Sequence, residues 1–164
     1  VLTLALTSAL LASAAASEPP PESGLLQVDM RKGVRLGYAF VNVQEGDALR
    51  SPHVSVFGFE VQQRFRGGSW LDFILVENLS VTGIEQGLFR PSLNLLVGFE
   101  LQQRWQLGAG AHVQPMEADD QALRLQLVIG GTLPAGDLEV PVHVGFIPDP
   151  DGRWRAQLTT GVFF

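Results

Sequence analysis

The sequence predicts an all-β fold, an eight-stranded antiparallel up-and-down barrel, and three observations carry that prediction. Residues 154–164, WRAQLTTGVFF, alternate strictly between two chemically different faces, and a period of two is strand periodicity. Seven further segments of about ten residues repeat the alternation, separated by polar, Gly-rich or Pro-rich connections. The polar face of these segments is unusually rich in glycine, with Gly37, Gly58, Gly98, Gly108, Gly110, Gly130, Gly145 and Gly161 interleaved with Glu, Gln and Arg. The chain of 164 residues is long enough for one such domain.

In chain order, residues 1–17 form an apolar run ending in small residues, as a signal peptide does. The run meets Glu18-Pro-Pro-Pro after about fifteen residues, short of the ~20 that a spanning helix requires. Residues 1–16 are therefore expected to be a signal peptide, 17–33 a periplasmic leader and 34–164 the barrel. The first strand is placed at 34–43, with Leu36, Tyr38 and Phe40 on one side; residues 25–32 offer a downward extension that Asp29, Arg31 and Lys32 argue against. The second and fourth strands are placed at 54–65 and 92–105. They share a near repeat forty residues apart, GFEVQQRF from Gly58 and GFELQQRW from Gly98, so they should run in the same direction.

The third strand is placed at 70–82. Its alternation is the least regular, because Leu71, Phe73 and Leu75 share their parity with Glu77, which predicts either a bulge near Val76 or a carboxylate at an interface. Gln106-Leu-Gly108 reads as a turn and 109–115 as the fifth strand. The sixth strand is expected at 122–133, followed by a turn at Pro134-Ala-Gly136. Pro141 in the seventh strand removes a ladder donor and predicts a local bulge. Asn78-Leu-Ser80 matches a glycosylation sequon, taken as chance within a strand.

Periodicity does not say which face is the interior, since a soluble lipocalin-like barrel or sandwich gives the same pattern with its faces exchanged. The glycines decide for a polar interior: on a solvated strand face they cost stability, whereas small residues among large ones fill a narrow lumen. The composition agrees, with ten Arg against the single Lys32 and charged residues at 17%, below the roughly 25% of soluble domains. The expected fold is thus a transmembrane β-barrel, its apolar face toward lipid. The apolar row Trp154, Leu158, Val162, Phe164 resembles the closing strand of small bacterial outer-membrane β-barrels. That resemblance implies an assembly signal at these four residues, read by the barrel-assembly machinery. It also implies an outer-membrane location in a Gram-negative bacterium and contact with outer-membrane lipid and lipopolysaccharide.

An inward polar face places Glu60, Arg64, Glu100, Arg104, Arg124 and Glu139 in the lumen, where ionised groups must pair. An eight-stranded barrel has room for side chains or one small ligand, so a plugged lumen and a structural or surface-interaction role are expected, in a monomer. Two alternatives remain. Some barrels of this size are lipid A-modifying hydrolases, and His53, flanked by Ser51 and Ser55, and His143, two inward positions from Glu139, are the weak catalytic candidates. An exported soluble ligand-binding barrel is the other. No cofactor is expected. His112 and His143 are too few for a metal site, and the acidic loops lack calcium-loop spacing. The net charge of -6 and the lack of a basic stripe exclude nucleic acid. Without cysteine there is no disulfide framework.

Overall fold

The computed structural model describes residues 26–43, 49–67, 70–114, 123–149 and 152–164. The expected signal peptide lies outside them. Eight strands form one closed antiparallel barrel in sequence order: β1 Gln27–Val41, β2 His53–Arg66, β3 Leu71–Thr82, β4 Arg90–Leu101, β5 Trp105–Val113, β6 Leu123–Ala135, β7 Leu138–Pro148 and β8 Trp154–Phe163. A short 3-10 turn, Ile84–Gln86, sits in the connection between β3 and β4.

Following the hydrogen-bonded partners once around the barrel gives Val28, Phe65, Phe73, Phe99, Leu107, Ile129, Val144, Leu158 and finally Tyr38. The path returns to β1 ten residues beyond its start (38 less 28), the stagger that tilts the strands and closes the sheet. Every residue on this path faces outward. Phe59 and Phe99 are 44% and 48% exposed, while their neighbours Glu60 and Glu100 are 5% and 0% exposed. No water-soluble sheet of this size exposes such a continuous apolar belt, and closure leaves no unpaired edge in hydrocarbon. The barrel therefore spans a bilayer through its strands. Aromatic rings gather at both ends of the wall, Phe65, Phe73 and Phe99 at one and Phe40, His53, Phe146 and Trp154 at the other, as interfacial girdles do.

Several boundaries differ from expectation. β1 begins at Gln27, so residues 27–33 belong to the wall and not to a leader. The charges that argued against this extension are accommodated, because Arg31 points into the lumen and pairs there with Glu100 and Glu139. β4 ends at Leu101, and β5 starts at Trp105 with Leu101 opposite it. Gln102 and Gln103 make the reversal in left-handed conformation, at φ 51° and 57°. The expected turn at 106–108 is strand. The β6–β7 reversal lies at Gly136-Asp137, since Ala135 pairs with Leu138. No bulge forms at Val76, where β3 keeps a constant register with β2 and β4, so Glu77 faces outward in the middle of its strand. Nor does Pro141 cause a bulge. The β7–β8 partners Glu139–Phe163 and Val142–Thr160 have the same register sum (302), with only the bonds of residues 140 and 141 missing between them. The missing donor breaks the ladder without inserting a residue.

Candidate functional site

Because strand side chains alternate, closure brings the polar residues of all eight strands into one narrow bore. Gly98 shows how narrow it is: a Cβ there would press on the Leu107 carbonyl oxygen and lie 2.8 Å from Gly108 Cα. Where glycine lets strands and side chains approach this closely, large polar groups from the other strands fill the space.

These groups form a chain of contacts along the bore. Near the loop end, Arg155 donates to Gln114 at 3.0 Å and to His112 at 3.4 Å. His112 Nδ1 meets Asn94 Oδ1 at 2.6 Å, and Asn94 donates to Asn78 at 3.0 Å. Asn78 in turn donates to Glu60 at 3.4 Å. Arg35 holds Glu60 through two bonds, Nε to Oε2 at 3.0 Å and Nη2 to Oε1 at 2.6 Å. The Arg35 guanidinium also lies 5.4 Å from the Phe163 ring centroid and contacts His143 Nδ1 at 2.6 Å. His143 Nε2 reaches Gln106 Oε1 at 2.7 Å, and Gln106 donates to Glu100. Glu100 lies 2.9 Å from Arg64 and 3.4 Å from Arg31, and Arg31 lies 2.8 Å from Glu139.

Hydrogen-bond logic fixes the histidines. Arginine only donates, so His143 Nδ1 accepts from Arg35 and its Nε2–H donates to Gln106. His112 has the opposite tautomer, donating from Nδ1 and accepting from Arg155. Both imidazoles are fully engaged as structural connectors. His143 pairs with Arg35 and Gln106, not with Glu139, which is taken by Arg31.

Of the six expected lumen charges, Glu60, Arg64, Glu100, Arg124 and Glu139 face the bore. Arg124 pairs with Asp149 at 2.8 Å. Arg104 does not join them; it is exposed in the β4–β5 turn, where the barrel ends and no strand holds it inward. Sequence reasoning missed Asn78, Asn94, Gln106 and Gln114 as members. Their inward parity was the available signal, hidden by the sequon reading at Asn78 and the turn reading at Gln106. A lumen cavity of about 50 Å³ lies between Arg35, Glu60, Asn94, Gln106 and His143, room for only a few waters.

A second cluster sits outside the wall at the loop end. Tyr38 OH meets His53 Nδ1, and Ser55 Oγ donates to Glu85. Gln86 ties the same turn to the start of β2 through Ser51 and His53 carbonyls at 3.2 and 2.8 Å. Partial burial raises Glu85, but hydrogen bonds from Ser55, from backbone amides and from Gln86 outweigh it and hold the carboxyl below its usual range. Among the described residues, no three His, Asp or Glu side chains gather as a metal site. Trp154, Leu158 and Phe164 face outward, and the Phe164 amide donates to the Lys32 carbonyl at 2.8 Å. Val162 shares their face, opposite Val34.

No family model matches the chain, and no curated protein matches it. Among solved structures, it is similar to the backbone structure of the Yersinia pestis outer membrane protein Ail in a phospholipid bilayer nanodisc. The identity is 14% and the TM-score 0.47, over 83% of this chain and 100% of that one.

Proposed function

We propose that the chain is an outer-membrane barrel of a Gram-negative bacterium with a plugged lumen, acting through its structure and its surface and not by conduction. The observation that carries this reading is the charge chain across the bore, in which Arg64 and Glu100 are completely withdrawn from solvent. A permeation path would leave such groups hydrated. Strand ends and short turns then lie at the periplasmic side, with the β3–β4 connection that carries the Ile84–Gln86 turn facing out toward lipopolysaccharide. The row Trp154, Leu158, Val162, Phe164 serves the assembly machinery, whose recognition of an exposed apolar strand face fits their placement. Planar-bilayer recording tests the plug: the expected result is no steady conductance, and reproducible open steps with the unmodified protein would overturn it.

The His53, Ser55, Glu85 and Tyr38 cluster favours a second reading, a hydrolase of lipid esters at the outer rim. Nucleophile, base and carboxylate types meet there on the lipid-facing side. For His53 to take the Ser55 proton, its Nδ1 must leave Tyr38 and the Ser55 hydroxyl must leave Glu85. Expression of the protein should then release ester-linked acyl chains from lipid A, and Ser55→Ala should abolish the release. His143 is not a candidate for that chemistry, being enclosed in the lumen.

A further inference from the structure

Three polar side chains interrupt the apolar wall in one place, and they are self-complementary. Glu77 of β3 is opposite Val61 of β2, and Val61 is opposite Lys32 of β1. Gln63, two residues along β2, lies between Met30 and Leu75. Constant register puts all of them on the outer face. Glu77 is central on its strand, with Leu71, Phe73 and Leu75 toward one end and Leu79 and Val81 toward the other, so it stands at mid-bilayer depth. Ionised groups facing hydrocarbon are costly and require a partner. Among the described residues no ion pair joins Lys32 or Glu77 to anything, although Arg31, one position from Lys32, is paired inside. Thr160 is another polar group in this belt, and it carries no charge.

We infer that this face is where two copies of the chain associate in the membrane. A two-fold axis along the membrane normal, passing beside Val61, exchanges left and right on the facing wall. Lys32 and Glu77 flank Val61 by one strand each, about 4.8 Å on either side, so the axis sets Lys32 of each copy against Glu77 of the other. Both side chains are long enough to cover the difference in depth that strand tilt produces. Val61 and Gln63, on the axis strand, meet their own counterparts. One amide donates to and accepts from the other, as an isologous contact requires. A single symmetry operation thereby gives all three polar groups a partner and removes two charges from lipid. It differs from the monomer expected from the sequence.

The absence of cysteine in the chain makes a direct test possible. Val61→Cys places two thiols near the axis, within reach of the ~3.5–4.5 Å Cβ separation of a disulfide. Ile129→Cys, four strands round the barrel and also on the outer face, is the control, and at 59% it is the more exposed of the two positions. Each variant is oxidised in native membranes, with the heat-dependent gel shift confirming folding. The expected result is a covalent dimer of twice the chain mass with Val61→Cys and background with Ile129→Cys. Adding Lys32→Glu should lower the yield roughly tenfold, and Lys32→Glu with Glu77→Lys should restore it. Equal yields at the two cysteines, an adduct of another mass, or failure of the double exchange to restore cross-linking would each overturn the dimer. If the charge variants do not fold, the comparison of the two single cysteines decides alone.

Discussion

Glu100 on β4 is shared by two arginines, Arg64 at 2.9 Å and Arg31 at 3.4 Å, and all three side chains are at most 10% exposed. The carboxylate is thus the junction of the half of the network nearer the β4–β5 turn, since Gln106 links it to His143 and Arg35 and Arg31 links it to Glu139. Removing a junction differs from removing a branch. Glu100→Gln leaves the buried Arg64 guanidinium without its carboxylate and Arg31 with Glu139 alone, whereas Arg64→Met leaves Glu100 with Arg31 and Gln106.

The expected outcome is that Glu100→Gln destabilises the barrel by about 3–5 kcal/mol, the range for breaking a buried pair, and that Arg64→Met costs clearly less. Urea unfolding in lipid vesicles, followed by tryptophan fluorescence, measures both. Equal losses would show that Arg31 does not share the carboxylate.

How much of this was legible in the sequence depends on where each residue lies. Alternation identified the eight strands and correctly assigned Phe59 to lipid and Glu60 to the lumen, because every strand there is paired on both sides and period two is enforced. The same reasoning failed at strand ends. Gln62-Gln63-Arg64 and Gln102-Gln103-Arg104 are one tripeptide in two conformations. The first is strand, clamped between Asp29–Arg31 of β1 and 74–76 of β3. The second reverses beyond Leu101, where β3 also begins and the ladder between β3 and β4 ends, with the Gln102 amide closing it on the Trp70 carbonyl at 2.8 Å. No local signal separates the two copies. Likewise Arg31 read as an obstacle to the first strand until Glu100 and Glu139, distant in sequence, were brought beside it.

The reversal at Gln102-Gln103 holds two non-glycine residues in left-handed conformation. Such a conformation costs an L-residue roughly 1–2 kcal/mol, and glycine avoids that cost at an entropic loss of roughly 0.5–1 kcal/mol. Gln103→Gly should therefore stabilise the barrel by about 0.5–1 kcal/mol. The check is a higher urea midpoint at unchanged slope.

Gly98 and Gly67 separate lumen packing from glycine flexibility. A Cβ at Gly98 meets backbone atoms of β5, which cannot move aside as a side-chain tip could, while nothing lies within 4 Å of a Cβ at Gly67. Gly98→Ala should cost about 1–3 kcal/mol, as overpacking does, and Gly67→Ala should be close to neutral. Comparable effects at the two sites would remove the argument that the bore requires glycine.

Glu85 supplies a pH dependence whose sign follows from its hydrogen bonds. With the folded carboxyl held below its ordinary value of 4.5, the contribution of its bond from Ser55 is complete above that value. It is lost as pH falls through the lowered one. The 84–86 turn should therefore stay docked on β2 at neutral pH and loosen in acid. Ser55→Ala removes the side-chain donor, so the Glu85 titration midpoint followed by carboxyl chemical shift should rise toward 4.5 and the acid loosening should diminish. An unchanged midpoint in Ser55→Ala would show that backbone amides and Gln86 alone hold the carboxylate, and that Ser55 is free to serve as a nucleophile.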